Sequence, residues 1–324
     1  MFKKLLLCVL VALMPITIMT AGCSGSKSTE TSAKSGPSAA TTKVFTIGMS
    51  QCNLGEPWRE QMDADIRAAA AEHDNVKVIF RDAQNDTLRQ RAHIEEFVSQ
   101  GVDVLIASPK EAAPLTEPIA KAYDAGIPVI ILDRAVLGDK YTVFIGANNV
   151  QIGEAAGKWL KEALGGTGKV VELKGLMTSV PGGDRHNGFR QGIEGSDIEV
   201  VFEADMQWLE PNARKEMESA LAVLDDIDAV YAHNDPGAHG AYLAAAAVGR
   251  EKEMIFVGID ALPHEGQAYV KQGILAACFE YPTGGREAID TALKLLAGES
   301  VSKKIVLPTR VYTPENVDAG GEAL

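Results

Sequence analysis

The sequence predicts an α/β protein of two lobes, each built on a parallel sheet. From residue 44 onwards, short apolar runs alternate with helix-length segments, the pattern of βαβ units. Runs such as Val129-Ile130-Ile131-Leu132 are apolar at every position, as strands covered on both faces of a parallel sheet must be. The rhythm then restarts near residue 152 in a second set of similar size, which fits two lobes better than one oversized sheet.

Taken in order, residues 44–49 are the first strand, and Pro57 opens a helix over 57–73 where its missing N–H costs nothing. Residues 76–80 are the second strand. The helix over 87–100 puts Ile94, Phe97 and Val98 on one face and is closed by Gly101. A third strand, 104–107, leads into a helix over 114–123. Gly126 follows that helix, and Pro128 prevents its continuation before the fourth strand, 129–132. Residues 141–145 are a fifth strand. The second set reads helix 152–164, strand 170–173, helix 184–192, strand 199–203, helix 212–224 and strand 229–232. An Ala-rich helix over 237–248, strand 255–259, helix 264–272, strand 274–279 and helix 285–296 complete it.

The N-terminus predicts export. Lys3 and Lys4 precede an apolar stretch from Leu5 to Met19, too short to span a bilayer comfortably, so residues 1–22 are expected to be a signal peptide. Thr20-Ala21-Gly22-Cys23 resembles the bacterial lipobox, which implies lipidation at Cys23; Thr20 departs from the usual Leu. Residues 23–42 are rich in Ser, Thr, Gly, Lys and Ala and form the expected tether. The formal net charge is −13, and −15 once residues 1–22 are removed, which argues against nucleic acid as a partner. Cys52 and Cys278 lie in apolar strand-like contexts and read as small buried hydrophobes, not as a disulfide framework.

Polar groups recur just beyond the strands, where ligands bind in open α/β sheets. Glu56, Trp58 and Arg59 follow the first strand, Asp82, Gln84 and Asn85 the second, Asp133 and Arg134 the fourth. In the second set come His233, Asn234 and Asp235, then Asp260, then Glu280 and Tyr281, with Arg185 after the turn Pro181-Gly182-Gly183-Asp184. Forked donors and carboxylates suit vicinal hydroxyls, and tryptophan or tyrosine suits the C–H face of a sugar ring. Asn234, Asp235 and Asp260 could equally cap or turn the chain into the next helix.

Six stretches together resemble the periplasmic sugar-binding proteins of ATP-driven importers, of the ribose- and galactofuranose-binding type. They are Ser50-Gln51 with Pro57-Trp58-Arg59, Asp82-Ala83-Gln84-Asn85, residues 125–134, Asp184-Arg185-His186-Asn187-Gly188-Phe189, Tyr231-Ala232-His233-Asn234-Asp235, and Val257-Gly258-Ile259-Asp260. The resemblance implies two Rossmann-like lobes joined by three hinge strands, the type I periplasmic binding protein fold. It places one lobe at 43–147 plus 279–308 and the other at 148–278 plus 309–324. Carried over residue by residue, it implies a ligand set of Glu56, Trp58, Arg59, Asn85, Asp133, Arg134, Arg185, Trp208, Asn234, Asp260 and Glu280. Arg59 stands where ribose binders have a second aromatic, and Glu56 and Glu280 stand where they have Asn and Gln. These departures favour a hexose, with a furanose ring admitted, over ribose.

The expectation is thus a lipid-anchored, extracytoplasmic, monomeric receptor that delivers a monosaccharide to an importer permease in the membrane. The alternative is a receptor on the same scaffold for a non-sugar or signalling ligand, such as an autoinducer or cyclic polyol, read by a sensor kinase. No enzyme, cofactor or metal is expected. The six histidines lack metal-ligand spacing, no nucleophile elbow occurs, and Gly165-Gly166-Thr167-Gly168 lacks the phosphate-loop lysine.

Overall fold

The computed structural model describes residues 43–324; the expected signal segment, the tether up to residue 42 and Cys23 lie outside the described residues. Within them, no helix is long and apolar enough to cross a membrane.

The first half runs β1 (Phe45–Gln51), α1 (Pro57–Ala70), β2 (Val76–Asp82), α2 (Thr87–Gln100), β3 (Val104–Ala107), α3 (Ala112–Asp124), β4 (Val129–Leu132) and β5 (Val143–Gly146). The second runs α4 (Asn149–Ala163), β6 (Thr167–Lys174), α5 (Val180–Gly192), β7 (Asp197–Asp205), α6 (Glu210–Val223), β8 (Ala229–Ala232), α7 (Asp235–Ala247), β9 (Ile255–Asp260), α8 (Gly266–Lys271) and β10 (Ala277–Glu280). The chain closes with α9 (Gly285–Leu296), β11 (Lys304–Val306), β12 (Arg310–Tyr312) and β13 (Glu322–Ala323).

The strands form two sheets. One has the order β11-β5-β4-β3-β1-β2 with every pair parallel. The other has the order β13-β12-β10-β9-β8-β6-β7, parallel from β7 to β10 and antiparallel at β12 and β13. The α/β class with two parallel-dominated sheets is the one the alternating pattern predicts. The strands β3 and β4, buried at all four positions, are the both-faces-covered strands that their unbroken apolar runs require. The chain passes from one sheet to the other at 147–148, 281–284 and 307–309.

Several boundaries differ from expectation, each for a local reason. The second of these passages follows Glu280, not Cys278, because Ile274 and Leu275 donate back to the Tyr269 carbonyl and finish α8 before β10 begins. Helix α3 starts at Ala112, two residues early, with Pro114 in its first turn. The segment 181–184, expected to be a turn, is the first turn of α5 with Pro181 at its N-terminal edge. Residues 297–324 supply three strands beyond those of the alternating pattern, β11, β12 and β13.

One glycine contact positions the site. Helices α4 and α5 meet backbone to backbone: a Cβ at Gly157 would lie 2.6 Å from the Phe189 carbonyl oxygen and 2.9 Å from Gly192 Cα. That approach draws α5 against α4 and sets Arg185 beside Asn149.

Candidate functional site

The segments that follow the carboxyl ends of β1, β4, β6, β7, β8, β9 and β10 converge on one cleft. A cavity there, with about 270 Å³ of empty space counting its open mouth, is lined by Glu56, Trp58, Arg59, Asp133, Arg134, Pro181, Arg185, Trp208, Asn234, Asp260 and Tyr281. Strained backbone concentrates at these strand ends: Asp133 (φ 69°), Trp208 (φ 70°) and Asp260 (φ 130°) all have positive φ. Such conformations cost energy and persist where the surroundings over-determine them.

In the first half of the cleft, Arg59 projects from the first turn of α1. Its Nη1 donates to Asp133 Oδ2 at 2.5 Å and to Ser108 Oγ at 2.8 Å. Arg134 Nε stands 3.7 Å from Asp133 Oδ2, and Tyr281 Oη donates to Asp133 Oδ1 at 2.7 Å. The rings of Trp58 and Tyr281 stack with centroids 5.1 Å apart.

In the second half, Arg185 Nε donates to Asn149 Oδ1 at 2.9 Å, and its Nη1 donates to the His233 carbonyl and stands 3.9 Å from Asp260 Oδ1. Asn234 caps α7: its Oδ1 accepts from the Gly237 amide at 3.0 Å while its Nδ2 donates to the Trp208 carbonyl at 3.0 Å. Asn234 thus both caps α7 and lines the cavity. Trp208 packs its six-membered ring on Gly175, where any Cβ would strike it, and the guanidinium groups of Arg134 and Arg185 lie 5.4 and 5.3 Å from its ring.

Three arginines face three carboxylates, all 2–7 % exposed, so the wall is rich in charge but balanced. Burial works against charge on Asp133, yet Arg59, Arg134 and the Tyr281 hydroxyl hold its carboxyl below the ordinary range. Burial also works against Arg59, and Asp133 chiefly offsets it, raising that guanidinium above its usual value. Asp260 goes the other way: burial pushes it well up, with Arg185 opposing and Asp235 reinforcing. Of the lining groups, Arg59 Nε, Arg134 Nε and Trp208 Nε1 are buried without a hydrogen-bond partner. All three are donors, and two stand just beyond hydrogen-bond reach of carboxylates: Arg59 Nε lies 3.8 Å from Glu56 Oε2 and Arg134 Nε 3.7 Å from Asp133 Oδ2.

Behind this wall, Glu172 is fully buried and holds three cationic or donor groups. His186 Nδ1 lies 2.9 Å and His233 Nε2 3.0 Å from Glu172 Oε1, and Arg190 Nη2 donates to Oε2 at 3.3 Å. The Gly175 amide donates to His233 Nδ1 at 3.1 Å, which assigns the ring proton to Nε2, facing Glu172. Glu172, His186 and Glu203 come close enough to share an ion, but Arg190 and Lys174 already neutralise the two carboxylates.

Of the eleven residues expected, nine line the cavity. Asn85 does not: it is exposed, with φ 60°, and serves the turn after β2, its amide donating to the Cys52 carbonyl at 2.9 Å. Glu280 faces a neighbouring groove toward Arg310, 4.0 Å away. Because successive side chains of an extended segment point to opposite sides, the residue that enters the cavity is Tyr281. Sequence reasoning noted Tyr281 beyond its strand without assigning it, and missed Pro181 and Asn149. Cys52 and Cys278 are buried and unpaired; the Cys278 thiol donates to Asp235 Oδ1 at 2.9 Å.

Comparison with known proteins places this geometry. Residues 47–300 match the family described as the periplasmic binding protein domain. The chain is 31% identical over 273 residues to a ribose import binding protein of Bacillus subtilis strain 168, covering 84% of this chain and 88% of that protein. Among solved structures, the fructose-binding periplasmic domain of a hybrid two-component system superposes with a TM-score of 0.83 at 43% identity, covering 85% of this chain and 92% of that one. A Mycobacterium smegmatis protein in complex with β-D-fucofuranose superposes with a TM-score of 0.81 at 31% identity, covering 85% and 93%.

Proposed function

The chain belongs to the periplasmic binding protein domain family, and from that premise we propose that it captures one neutral monosaccharide, a hexose and preferably its furanose form, between two closing lobes. The observation that carries this reading is the cavity wall. Trp58 and Trp208 offer aromatic surface for sugar C–H groups, and balanced arginines and carboxylates offer forked partners for hydroxyls. The unpartnered donors of Arg59, Arg134 and Trp208 suit hydroxyl and ring oxygens. Two neighbours described as binding fructose and fucofuranose support the hexose and furanose parts of the reading.

In this reading the protein is a non-enzymatic, monomeric lipoprotein, anchored at Cys23 outside the cytoplasm, that presents its sugar to an importer permease. Ligand shifts the lobes toward closure because it touches both walls only when they meet. Trp58, Asp133 and Arg134 hold it from one side and Arg185, Trp208, Asn234 and Asp260 from the other. A second reading, supported by the 43% identity to a domain of a hybrid two-component system, is a receptor that reports its ligand to a sensor kinase. Neighbouring genes for a permease and ATPase favour import; a histidine kinase gene favours sensing.

The test is a thermal-shift panel of the protein from residue 24 onward against D-fructose, D-fucose, D-galactose, D-ribose and myo-inositol. A ligand at a hundredfold excess over its dissociation constant adds about 2.7 kcal/mol to the folded state. A shift with a hexose larger than that with ribose is expected. A flat response to every sugar would overturn the reading.

A further inference from the structure

Five buried side chains make one hydrogen-bonded path across the cleft. Arg59 Nη1 donates to Asp133 Oδ2 at 2.5 Å, and Tyr281 Oη donates to Asp133 Oδ1 at 2.7 Å. Asn149 Nδ2 donates to Tyr281 Oη at 3.3 Å, and Arg185 Nε donates to Asn149 Oδ1 at 2.9 Å. Arg59 and Asp133 sit on elements of the first sheet's lobe and Arg185 on α5 of the second. Tyr281 and Asn149 lie in or beside two of the three passages between the sheets. The Tyr281 ring is fixed as well, stacked on Trp58 with the Arg185 guanidinium 4.5 Å from its centroid.

We propose that Tyr281 is a positioning residue of the site: its hydroxyl, held by Asn149, orients the Asp133 carboxylate and ties the two sides of the cleft in the closed arrangement. The proposal rests on the reading of the cleft as a sugar site. The argument is one of freedom removed before binding. With one Asp133 oxygen fixed by Arg59 and the other by Tyr281, the remaining lone pairs point in set directions, so a ligand hydroxyl meets an acceptor that need not be ordered on arrival. Asn149 and Arg185 move together on the packed helices α4 and α5, so rotation of one lobe away from the other must part Asp133 from Tyr281 or Tyr281 from Asn149. The 3.3 Å contact is the longest link of the path and the first expected to yield. The path contains protein groups only, so closure has a contribution that does not depend on ligand.

The test uses Tyr281→Phe, which keeps the stacked ring and removes the hydroxyl, together with Asn149→Leu and the double variant. Small-angle scattering of the ligand-free proteins is expected to give a larger radius of gyration for each variant than for the wild type. Affinity for D-fructose, or for whichever panel sugar binds the wild type best, is expected to fall about tenfold in Tyr281→Phe, chiefly through faster dissociation. The double variant is expected to be no weaker than the worse single one, because both changes cut the same path. Tyr281→Phe with wild-type affinity and an unchanged radius of gyration would overturn the proposal and leave the sugar reading standing. Conversely, if no panel sugar binds the wild type while both variants still expand, the sugar reading falls and the tie between the lobes stands.

Discussion

Trp58 and Tyr281, 223 positions apart in the chain, form a single unit: their rings stack 26° from parallel, and the Trp58 indole Nε1 donates to the Tyr281 carbonyl at 2.6 Å. One belongs to the first helix and the other to a passage between the sheets, so the first wall of the cavity is braced by that passage.

Trp58→Phe keeps an aromatic face and leaves the Tyr281 carbonyl buried without its donor. The cost should be about 1 kcal/mol, which lowers the melting midpoint by roughly 2–4 °C. Sugar affinity should fall only a few-fold. Differential scanning calorimetry and a calorimetric titration check both halves, and an unchanged midpoint would show that this hydrogen bond contributes nothing.

Arg185→Ala removes a 2 % exposed cation from between Asn149, the His233 carbonyl and Asp260. Truncating one member of a buried charged set costs about 2–5 kcal/mol, so sugar binding should drop below detection in a titration that measures the wild type easily. Wild-type binding in this variant would remove Arg185 from the site.

Asp260→Asn should raise stability while lowering affinity. Burial lifts the Asp260 carboxyl above its unfolded value, so the stability it contributes is present at low pH and is lost as pH rises through the folded pKa. At neutral pH the charge is therefore a net cost that asparagine relieves. The ligand-free midpoint at pH 7 should rise by about 2–4 °C, the shift expected of a ~1 kcal/mol gain. A lower midpoint would mean that the 3.9 Å contact with Arg185 outweighs the burial cost.

His233 gives a pH dependence of the opposite sign. Burial, outweighing the Glu172 carboxylate beside it, pushes the imidazole below its ordinary value of about 6.5. As pH falls below that value, the unfolded chain takes up a proton that the folded ring refuses, and stability drops until the folded pKa is reached. Glu265, pushed to about 7, titrates the other way in the same window, so the comparison must be between proteins. The midpoint of His233→Gln should fall less than that of the wild type between pH 7.5 and 5.5; parallel curves would contradict the assignment.

Much of this was legible in the sequence because it is local. Alternating apolar runs and helix signals fixed the α/β class and two-sheet division, and the habit of polar residues following strands located Trp58, Asp133, Arg185, Asn234 and Asp260. What tertiary structure decided was which neighbour of a strand end turns inward. Glu280 ends β10 and Tyr281 follows it, both polar, yet only Tyr281 enters the cavity; Asn85 is spent on a turn by its positive φ. Tyr281 meets Asp133, Asn149 and Trp58 across 148, 132 and 223 positions of chain. No local pattern encodes such meetings, because they follow from how two sheets and three passages close upon one cleft.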